Sequence, residues 1–387
     1  MSSLIEILES WNKESKALVA VKGSEREELP RIPFSSATLN WQSYGGMPRR
    51  KVVEFFGPEG SGKTTTALDL VANAQYLFGH EFIEARERAT EKLDEARTKK
   101  LSASTIRQLE ANLDGMKAPK QVIYVDLENT LDFEWAEKLG VDIHNLWVIR
   151  PEQDSAEQIL TYILELAKTG EVGLIILDSI PYLIPQQIMD ESLEKKMYGG
   201  VAATLTEFTK KLTPIITKYN MLFLAINQIR EDMSNPYSMY STPGGKMWKH
   251  ACSVRLKFKK GDYVDKDGKA LTRAAVNPAG NMVECFVEKT KAFRPDRKLC
   301  TYQLSYYKGI EVAADLLDTA VQFQVVNKGG AWYTFLDVDT GEILKDADDN
   351  DLKFNGRSAA VKALEDDTEL YDMIMDQVHP LITQVPV

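Results

Sequence analysis

Short apolar runs alternate with amphipathic stretches through the middle of the chain. The runs have the length of β-strands and lie at residues 52–56, 121–126, 146–150, 173–178 and 221–227. Between them, residues 155–168 and 201–218 repeat apolar side chains at helical spacing. Strands that alternate with helices are typical of a parallel sheet with helices on both faces. We therefore predict an α/β fold with a mostly parallel, doubly wound sheet.

The two ends of the chain depart from this alternation. Ser3 and Glu6 form a capping box in front of apolar residues at helical spacing, which predicts an amphipathic helix over residues 3–18. The polar run 22–31 predicts a linker. Because a helix this short cannot form a core alone, we expect it to dock on its own chain or on a neighbouring copy. At the other end, residues 327–387 predict a small separate α/β unit.

A highly charged, glycine-poor segment at residues 81–118 interrupts the alternation. Its helical pattern breaks near residues 102–104, and a capping box at Thr105 and Gln108 restarts it, so we predict an inserted helical hairpin. Shorter strand-like runs follow later, at residues 253–258, 282–289 and 301–306. The predicted organisation is an N-terminal helix with linker (1–31), an α/β core (32–326) and a small acidic C-terminal domain (327–387).

Negative charge is concentrated near the C-terminus. The whole chain has 47 Lys+Arg against 57 Asp+Glu, a net charge of −10, and residues 337–387 alone have 13 acidic against 4 basic side chains. The rest of the chain is therefore nearly neutral. Within it, residues 244–261 carry six basic side chains and no acidic one. The net charge of the whole chain thus does not exclude nucleic acid as a partner.

Cysteine usage and hydropathy bear on the compartment. The three cysteines lack C-x-x-C spacing and the four histidines are scattered, which predicts neither a disulfide framework nor a zinc site. Glu6 and Glu9 stand where a signal peptide would have a basic segment, and no run reaches the roughly 18 apolar residues of a membrane span. We expect a cytoplasmic protein without a membrane partner.

The strongest chemical signal follows the apolar run at residues 52–56. The pattern G-x-x-x-x-G-K-[ST] is matched between a predicted strand and a predicted helix by Gly57, Pro58, Glu59, Gly60, Ser61, Gly62, Lys63 and Thr64. In such a loop the backbone N–H groups wrap around phosphate, the lysine reaches the β- and γ-phosphates, and the hydroxyl binds Mg²⁺. We predict a nucleoside triphosphate site here, and we include the next residue, Thr65.

Two acidic residues that follow predicted strands complete this site. Asp178 ends the run at 173–178, and we predict that it faces the metal beside Thr64. Glu128 follows the run at 121–126, from where a carboxylate can reach the γ-phosphate and act as base for water. Ordinary strand-end and loop acids have the same pattern, so both assignments depend on the phosphate loop.

An ordered set of motifs resembles bacterial and phage RecA-type recombinases. The matching segments are residues 45–47, 53–65, 126–132, 138–142, 177–179, 226–230, 244–245, 253–256, 289–291 and 330–333. They cover about residues 32–335 in the order of the family, interrupted by the segment at 81–118. Single motifs are shared with many phosphate-loop ATPases, whereas the ordered set is specific.

The resemblance implies a RecA-like P-loop ATPase that uses ATP and Mg²⁺. It implies a filament on single-stranded DNA, formed by subunits that polymerise through the N-terminal helix. It further implies homologous pairing and strand exchange with double-stranded DNA, with mediator or single-strand-binding proteins as further partners. The insertion and the atypical C-terminal region favour a phage over a bacterial origin.

The resemblance also implies roles for residues around the nucleotide. Glu128 matches the family's catalytic glutamate, and Gln228 matches the glutamine that senses the γ-phosphate and signals to a DNA-binding loop. Asp132 and Trp135 match the positions that meet the adenine amino group and stack on adenine. The alternative for Trp135 is that it merely packs a helix.

Further positions match residues that act outside the subunit's own nucleotide site. Lys289 and Lys291 match lysines that reach into the ATP site of the neighbouring subunit. The two DNA-binding loops of the family correspond to residues 185–200 and 231–245. Our candidates for DNA contacts in or near these loops are Tyr198, Gly199, Gly200, Lys210, Arg230, Gly244, Gly245 and Lys249.

Two alternative functions remain open from the sequence. One is a different DNA motor on the same fold, a helicase or a branch-migration ATPase. The other is a filament scaffold that binds nucleotide without turnover. Glu128, Gln228 and the two lysines at 289 and 291 argue against the scaffold.

Overall fold

The computed structural model describes residues 3–15, 29–190, 200–231, 240–272, 274–346 and 348–384. It comprises two compact units, Met1–Pro30 and Arg31–Val387. The first unit contains helix α1 (Leu4–Ser15), whose capping box is formed: the Glu6 N–H donates to Ser3 Oγ and the Ser3 N–H donates to Glu6 Oε2. This confirms the predicted start of the helix.

The second unit holds the remaining elements. In its first half these are β1 (Arg31–Ile32), α2 (Ala37–Ser43), β2 (Met47–Pro48), β3 (Val52–Gly57), α3 (Lys63–Thr98), α4 (Ala103–Gly115), β4 (Gln121–Asp126), α5 (Phe133–Lys138), β5 (Leu146–Ile149), α6 (Ala156–Lys168), β6 (Val172–Asp178), α7 (Gln186–Met189) and α8 (Gly200–Tyr219). In its second half these are β7 (Leu222–Gln228), β8 (Arg230–Glu231), β9 (Tyr240–Ser241), α9 (Gly245–Ala251), β10 (Val254–Val264), β11 (Gly280–Thr290), β12 (Leu299–Ser305), β13 (Gly309–Ile310), α10 (Val312–Gln322), β14 (Val326–Gly329), β15 (Trp332–Phe335), β16 (Lys353–Asn355), α11 (Arg357–Asp366) and α12 (Thr368–Thr383).

A large central sheet organises the second unit. In the described part of the chain it has nine strands in the order β13-β12-β11-β10-β3-β7-β6-β4-β5. The strands from β10 to β5 run parallel, and β11, β12 and β13 are antiparallel to their neighbours. The carboxyl ends of β3, β7, β6 and β4 therefore meet at one edge of the sheet.

Helices cover both faces of the parallel strands. On β6, Leu174 and Ile176 pack in an apolar cluster with residues of α3, whereas Ile175 and Leu177 pack in a second cluster with α6 and α8. Successive side chains of a strand point to opposite faces, so a strand that is apolar along its whole length must be covered on both sides. The predicted doubly wound α/β fold is confirmed.

The inserted segment differs in detail from the sequence-based expectation. The helix after the phosphate loop does not end before the inserted segment but continues into it as α3 to Thr98, because no glycine pair or proline interrupts it. The second helix of the hairpin, α4, is capped by Ser102 Oγ, which accepts a hydrogen bond from the Thr105 N–H. The capping box predicted at Thr105 and Gln108 was therefore wrong by one turn.

The C-terminal residues form a three-stranded antiparallel sheet, β14-β15-β16, with α11 and α12. Tyr333, Leu364 and Ile374 share an apolar cluster with Leu316 on α10 and Ala37 on α2. The predicted domain boundary at residue 327 stays a prediction. Among the residues that the structure describes, no helix is both long and apolar enough to cross a membrane.

Two buried carboxyl groups lie where α2 meets α3 and α10. Asp315 Oδ2 accepts hydrogen bonds from Ser36 Oγ (2.9 Å) and the Thr38 N–H (3.0 Å), and Asp69 Oδ2 accepts one from the Ser35 N–H (3.1 Å). Burial raises the pKa of each carboxyl to about 6. The hydrogen bonds lower the pKa of each carboxyl, but by less than the loss of hydration raises it.

These two groups predict how stability depends on pH. Because their folded-state pKa lies above the unfolded value of 3.8, the folded protein binds more protons between pH 4 and 6. Their stabilising contribution is therefore fully present below about pH 4 and is lost as pH rises through about 6, by up to about 3 kcal/mol for each group. In urea unfolding over this pH range, we expect the free energy of unfolding of Asp315→Asn to fall less steeply than that of the parent chain.

The exposed residue Asp372 on α12 supplies the matched control. Asp372→Asn should keep the parent's pH dependence. Identical slopes for Asp315→Asn and the parent would contradict the assignment of this pH dependence to the buried carboxyl.

Candidate functional site

The loop between β3 and α3 has the backbone geometry that its glycines allow. Gly62 precedes the first residue of α3 with a φ of +89°, a conformation that side chains disfavour. A Cβ atom on Gly57 would lie 2.3 Å from the backbone oxygen of Phe258 on β10. The loop is therefore closely packed at its start and turns sharply at its end, which aims the first N–H groups of α3 at the space above the sheet edge.

Lys63 is held inside this loop. Its ammonium donates to the Pro58 backbone oxygen (2.6 Å) and to Ser61 Oγ (3.4 Å), and the side chain is buried. Burial lowers the pKa of Lys63, and the carboxylates of Asp178, Glu128 and Glu59 oppose that shift. The ammonium thus faces the acidic residues that the sequence assigned to the same site.

Asp178 and Thr64 meet at the end of β6. Thr64 Oγ1 donates to Asp178 Oδ2 at 3.2 Å, and the hydroxyl of Tyr124 on β4 donates to the same oxygen at 2.6 Å. Burial raises the pKa of Asp178 to about 6. A hydroxyl and a carboxylate are oxygen ligands of the kind that Mg²⁺ prefers beside phosphates. The pair predicted to bind the metal is therefore in contact.

Glu128 lies just after β4 and is held from two sides. Ser179 Oγ donates to its Oε1 at 2.5 Å, and Gln228 Nε2 lies 3.4 Å from the same oxygen. Gln228 ends β7 opposite Gly57, the last residue of β3. Lys63, Thr64, Glu128, Asp178 and Gln228 thus converge at one edge of the sheet.

The two residues predicted to contact adenine, Asp132 and Trp135, both make contacts within the protein. Asp132 caps α5, since its Oδ1 accepts from the Trp135 N–H at 3.1 Å. Trp135 is half-buried and packs against the apolar cluster on the α3 side of the sheet. Roles for the two residues in adenine binding stay predictions.

Lys289 and Lys291 lie away from the phosphate loop of their own chain. Lys289 donates to the backbone oxygens of Lys249 and His250, and Lys291 donates to that of His250 at 3.3 Å. Lys289 pairs with Arg255, which pairs with Glu54, the third residue of β3, whereas the phosphate loop follows Gly57, the last residue of that strand. The structure therefore does not bring these lysines to the nucleotide site of the same subunit.

The candidates for DNA contacts lie on the segments around the two loops. Tyr198 and Gly199 are outside the described residues, and Gly200 is the first residue of α8. Lys210 is exposed, about 15 Å further along the same helix. Arg230 on β8 pairs with Ser241 on β9. Gly244 and Gly245, both with positive φ, begin α9, which contains Lys249.

Sequence reasoning missed a buried polar network next to the phosphate loop. The carboxylate of Glu54 on β3 has no exposed surface, and it accepts hydrogen bonds from Asn227 Nδ2 (2.7 Å) and Trp248 Nε1 (2.8 Å). Arg255 on β10 also donates to this carboxylate, and its guanidinium stacks over the ring of Phe56. The sequence does contain a signal for this network, because Glu54 is an acidic residue inside an otherwise apolar strand. A charge buried there needs a partner.

The same network connects Gln228 with the segment that precedes α9. Asn227 Oδ1 accepts from the Gln228 N–H at 3.0 Å, and Asn227 Nδ2 also donates to the Pro243 backbone oxygen at 3.0 Å. Arg255 donates to Thr242 Oγ1 at 3.3 Å. The end of β7 and the last residues of the second predicted DNA loop are therefore joined through a few buried side chains.

Comparison with known proteins gives consistent matches. A family model described as the RecA N-terminal domain matches residues 2–115 and 100–311. Protein RecA of Ruminococcus albus is 30% identical over 328 residues, which cover 84% of this chain and 69% of that protein. Protein RecA of Chlorobium limicola is 31% identical over 363 residues, with coverages of 93% and 85%. Protein RecA of Chlorobaculum tepidum is 32% identical over 343 residues, with coverages of 88% and 80%.

A solved structure described as the crystal structure of the RadB recombinase is also similar. The match covers 70% of this chain and 95% of that chain, with a TM-score of 0.44 and 19% sequence identity.

The buried network predicts a large effect of removing one charge. Glu54→Gln keeps the side-chain shape but leaves the buried guanidinium of Arg255 without its carboxylate. We expect the free energy of unfolding, measured by urea denaturation, to fall by about 3 kcal/mol or more.

An exposed ion pair on the same sheet provides the control. Glu284 on β11 accepts from Lys259 at 3.0 Å, and the lysine side chain is mostly exposed. Glu284→Gln should change the free energy of unfolding by no more than about 1 kcal/mol. Equal effects of the two substitutions would contradict the importance of the buried network.

Proposed function

This chain belongs to the RecA family, and from that premise we propose that it is a DNA-dependent ATPase acting as a recombinase. It assembles on single-stranded DNA with ATP and Mg²⁺ and catalyses homologous pairing and strand exchange with double-stranded DNA. The observation that carries the proposal is the convergence of Lys63, Thr64, Glu128, Asp178 and Gln228 at the carboxyl edge of the parallel strands.

The phosphate loop binds the triphosphate in this proposal. The N–H groups at the start of α3 face the phosphates, and Lys63 exchanges its contact with the Pro58 oxygen for the β- and γ-phosphate oxygens. Thr64 and Asp178 hold Mg²⁺. When bound, the metal neutralises charge that develops on the phosphates. Tyr124 keeps Asp178 in place by donating to the carboxylate from the neighbouring strand.

Glu128 orients and deprotonates the attacking water. The hydroxyl of Ser179 holds the carboxylate by a hydrogen bond, which fixes the direction of its second oxygen. The amide of Gln228 lies next to the same carboxylate, so a change at the γ-phosphate can move Gln228. Asn227 would then transmit that movement to the segment before α9, through its contacts with Gln228 and Pro243.

Assembly of subunits completes the proposal. Helix α1 exposes Leu4, Ile5 and Trp11, an apolar stripe that water does not favour. We assign this helix to polymerisation. Lys289 and Lys291, which lie away from their own phosphate loop, then act on the nucleotide of the neighbouring subunit.

The role of Glu128 gives the central test. Glu128→Gln removes the base but keeps the phosphate loop, so we expect ATP and single-stranded DNA to bind with affinities close to those of the parent. ATP hydrolysis in the presence of single-stranded DNA should slow by several powers of ten. Glu134→Gln, at an exposed position on α5, is the matched control and should hydrolyse ATP at the parent's rate. Normal turnover in Glu128→Gln, or turnover that is independent of DNA in the parent, would contradict the proposal.

The second test concerns the shared nucleotide site. A chain with Lys289→Ala and Lys291→Ala should bind ATP but lose DNA-stimulated hydrolysis. Mixing it with inactive Lys63→Ala protein should restore part of the activity, because a Lys63→Ala subunit still supplies both lysines to an intact phosphate loop. The exposed position Lys362 on α11 offers a control: Lys362→Ala should behave as the parent. Absence of rescue at every mixing ratio would count against action between subunits.

A further inference from the structure

Four side chains form a row of stacked groups beside the segment that carries Lys291. The guanidinium of Arg297 lies 3.8 Å from the centre of the Tyr44 ring. The rings of Tyr44 and Phe293 have their centres 6.2 Å apart, and the guanidinium of Arg31 lies 5.7 Å from the centre of the Phe293 ring. These distances are typical of cation–π and aromatic contacts. We call these four side chains the ring stack.

One end of the ring stack is anchored at the end of the C-terminal helix. The guanidinium of Arg297 donates to the backbone oxygens of Trp41 (2.6 Å), Ile382 (2.7 Å) and Gln384 (2.9 Å), and the residue is only 8% exposed. Ile382 lies in the last turn of α12, and Gln384 follows that helix. The last carbonyl groups of a helix have no partner within it, so the guanidinium fixes them and is fixed by them.

The other end of the ring stack reaches the backbone next to Lys291. Arg31 donates to the Ala292 backbone oxygen at 3.2 Å. The hydroxyl of Thr290 accepts hydrogen bonds from the N–H groups of Ala292 and Phe293, at 3.2 Å each, and donates to the Phe293 backbone oxygen. Lys291 therefore lies in a tight turn between Thr290 and Phe293. The place of the Phe293 ring in the stack sets the position of this turn.

A lysine that acts on the nucleotide of another subunit depends strongly on such an anchor. Its side chain is long and flexible, and Lys291 is exposed. Stabilisation of transition-state charge falls steeply when a donor is displaced by about 1 Å. Because the nucleotide belongs to a different chain, the position of the ammonium has to come from the backbone of its own subunit.

We propose that the ring stack positions Lys291 for the nucleotide of the neighbouring subunit, and that the end of α12 anchors the stack. This inference rests on the proposed action between subunits and adds the residues that make it precise. Phe293, Tyr44 and Arg297 are positioning residues, since they act through Lys291. The C-terminal helix of one subunit thereby contributes to ATP hydrolysis in the next.

Replacement of Phe293 in the full-length chain tests the proposal. The ring is half-buried, so Phe293→Ala interrupts the stack without opening the core. With single-stranded DNA, kcat for ATP hydrolysis should fall by about tenfold or more, whereas KM for ATP should stay close to the parent's. Phe293→Tyr keeps the ring and should retain the parent's kcat.

The insertion offers a matched control. Phe82 on α3 is also half-buried, and the guanidinium of Arg86 lies 5.8 Å from the centre of its ring. Phe82→Ala therefore removes the same kind of contact elsewhere and should hydrolyse ATP like the parent. A second variant of the stack is Arg297→Lys, which offers one ammonium to three carbonyl oxygens. It should show the same loss of kcat to a smaller extent.

Mixing experiments separate positioning from a structural role. Lys63→Ala subunits, which have an intact ring stack, should restore activity to Phe293→Ala protein by supplying well-placed lysines to its intact phosphate loop. The variant with Lys289→Ala and Lys291→Ala should not restore it, because both proteins then lack the same contribution. A general loss of stability in Phe293→Ala would not distinguish between the two partners.

The outcomes also separate this inference from the proposed function. A parent chain without DNA-dependent ATP hydrolysis overturns both. If Lys63→Ala protein restores the double lysine variant but not Phe293→Ala, the lysines act between subunits and only the ring-stack inference fails. A parent-like kcat for Phe293→Ala likewise overturns the inference alone. If the double lysine variant itself is not restored, action between subunits fails, and the inference falls with it.

Discussion

The functional part of the structure depends on the buried hydrogen bonds and the ion pair of the Glu54 carboxylate. The carboxylate lies in β3, the strand that leads into the phosphate loop, and it binds side chains from three other elements: Asn227 at the end of β7, Trp248 on α9 and Arg255 on β10. A buried charge is tolerated only when its hydrogen bonds are satisfied. The requirement to satisfy Glu54 therefore holds the phosphate loop, the end of β7 and the segment before α9 in one arrangement.

The charged side chains of the nucleotide site are buried, and their loss of hydration costs free energy that a bound phosphate and metal can offset. Burial raises the pKa of Asp178 to about 6 and lowers the pKa of Lys63. Hydrogen bonds from Thr64 and Tyr124 stabilise the charged form of Asp178 in part. A site built from desolvated groups of both signs interacts strongly with a charged ligand, because charges act on each other more strongly in a low-dielectric environment.

The helical hairpin formed by α3 and α4 adds a surface at the rim of the central sheet. The helix that follows the phosphate loop extends to Thr98, and the chain returns through α4 to the edge of the sheet beside Trp147. Because the hairpin is attached at the ends of existing elements, it leaves the order of the central strands unchanged.

The sequence by itself determined the layered α/β fold, the phosphate loop and the acids at the strand ends, because these features depend on local periodicity and on spacing within a few residues. Only the tertiary structure decided that Ser179 and Gln228 hold Glu128, that Glu54 is the centre of a buried network, and that Lys289 lies away from its own nucleotide site. Such contacts join residues from different strands, and their geometry depends on strand order and register. Neither quantity is encoded in a short stretch of sequence.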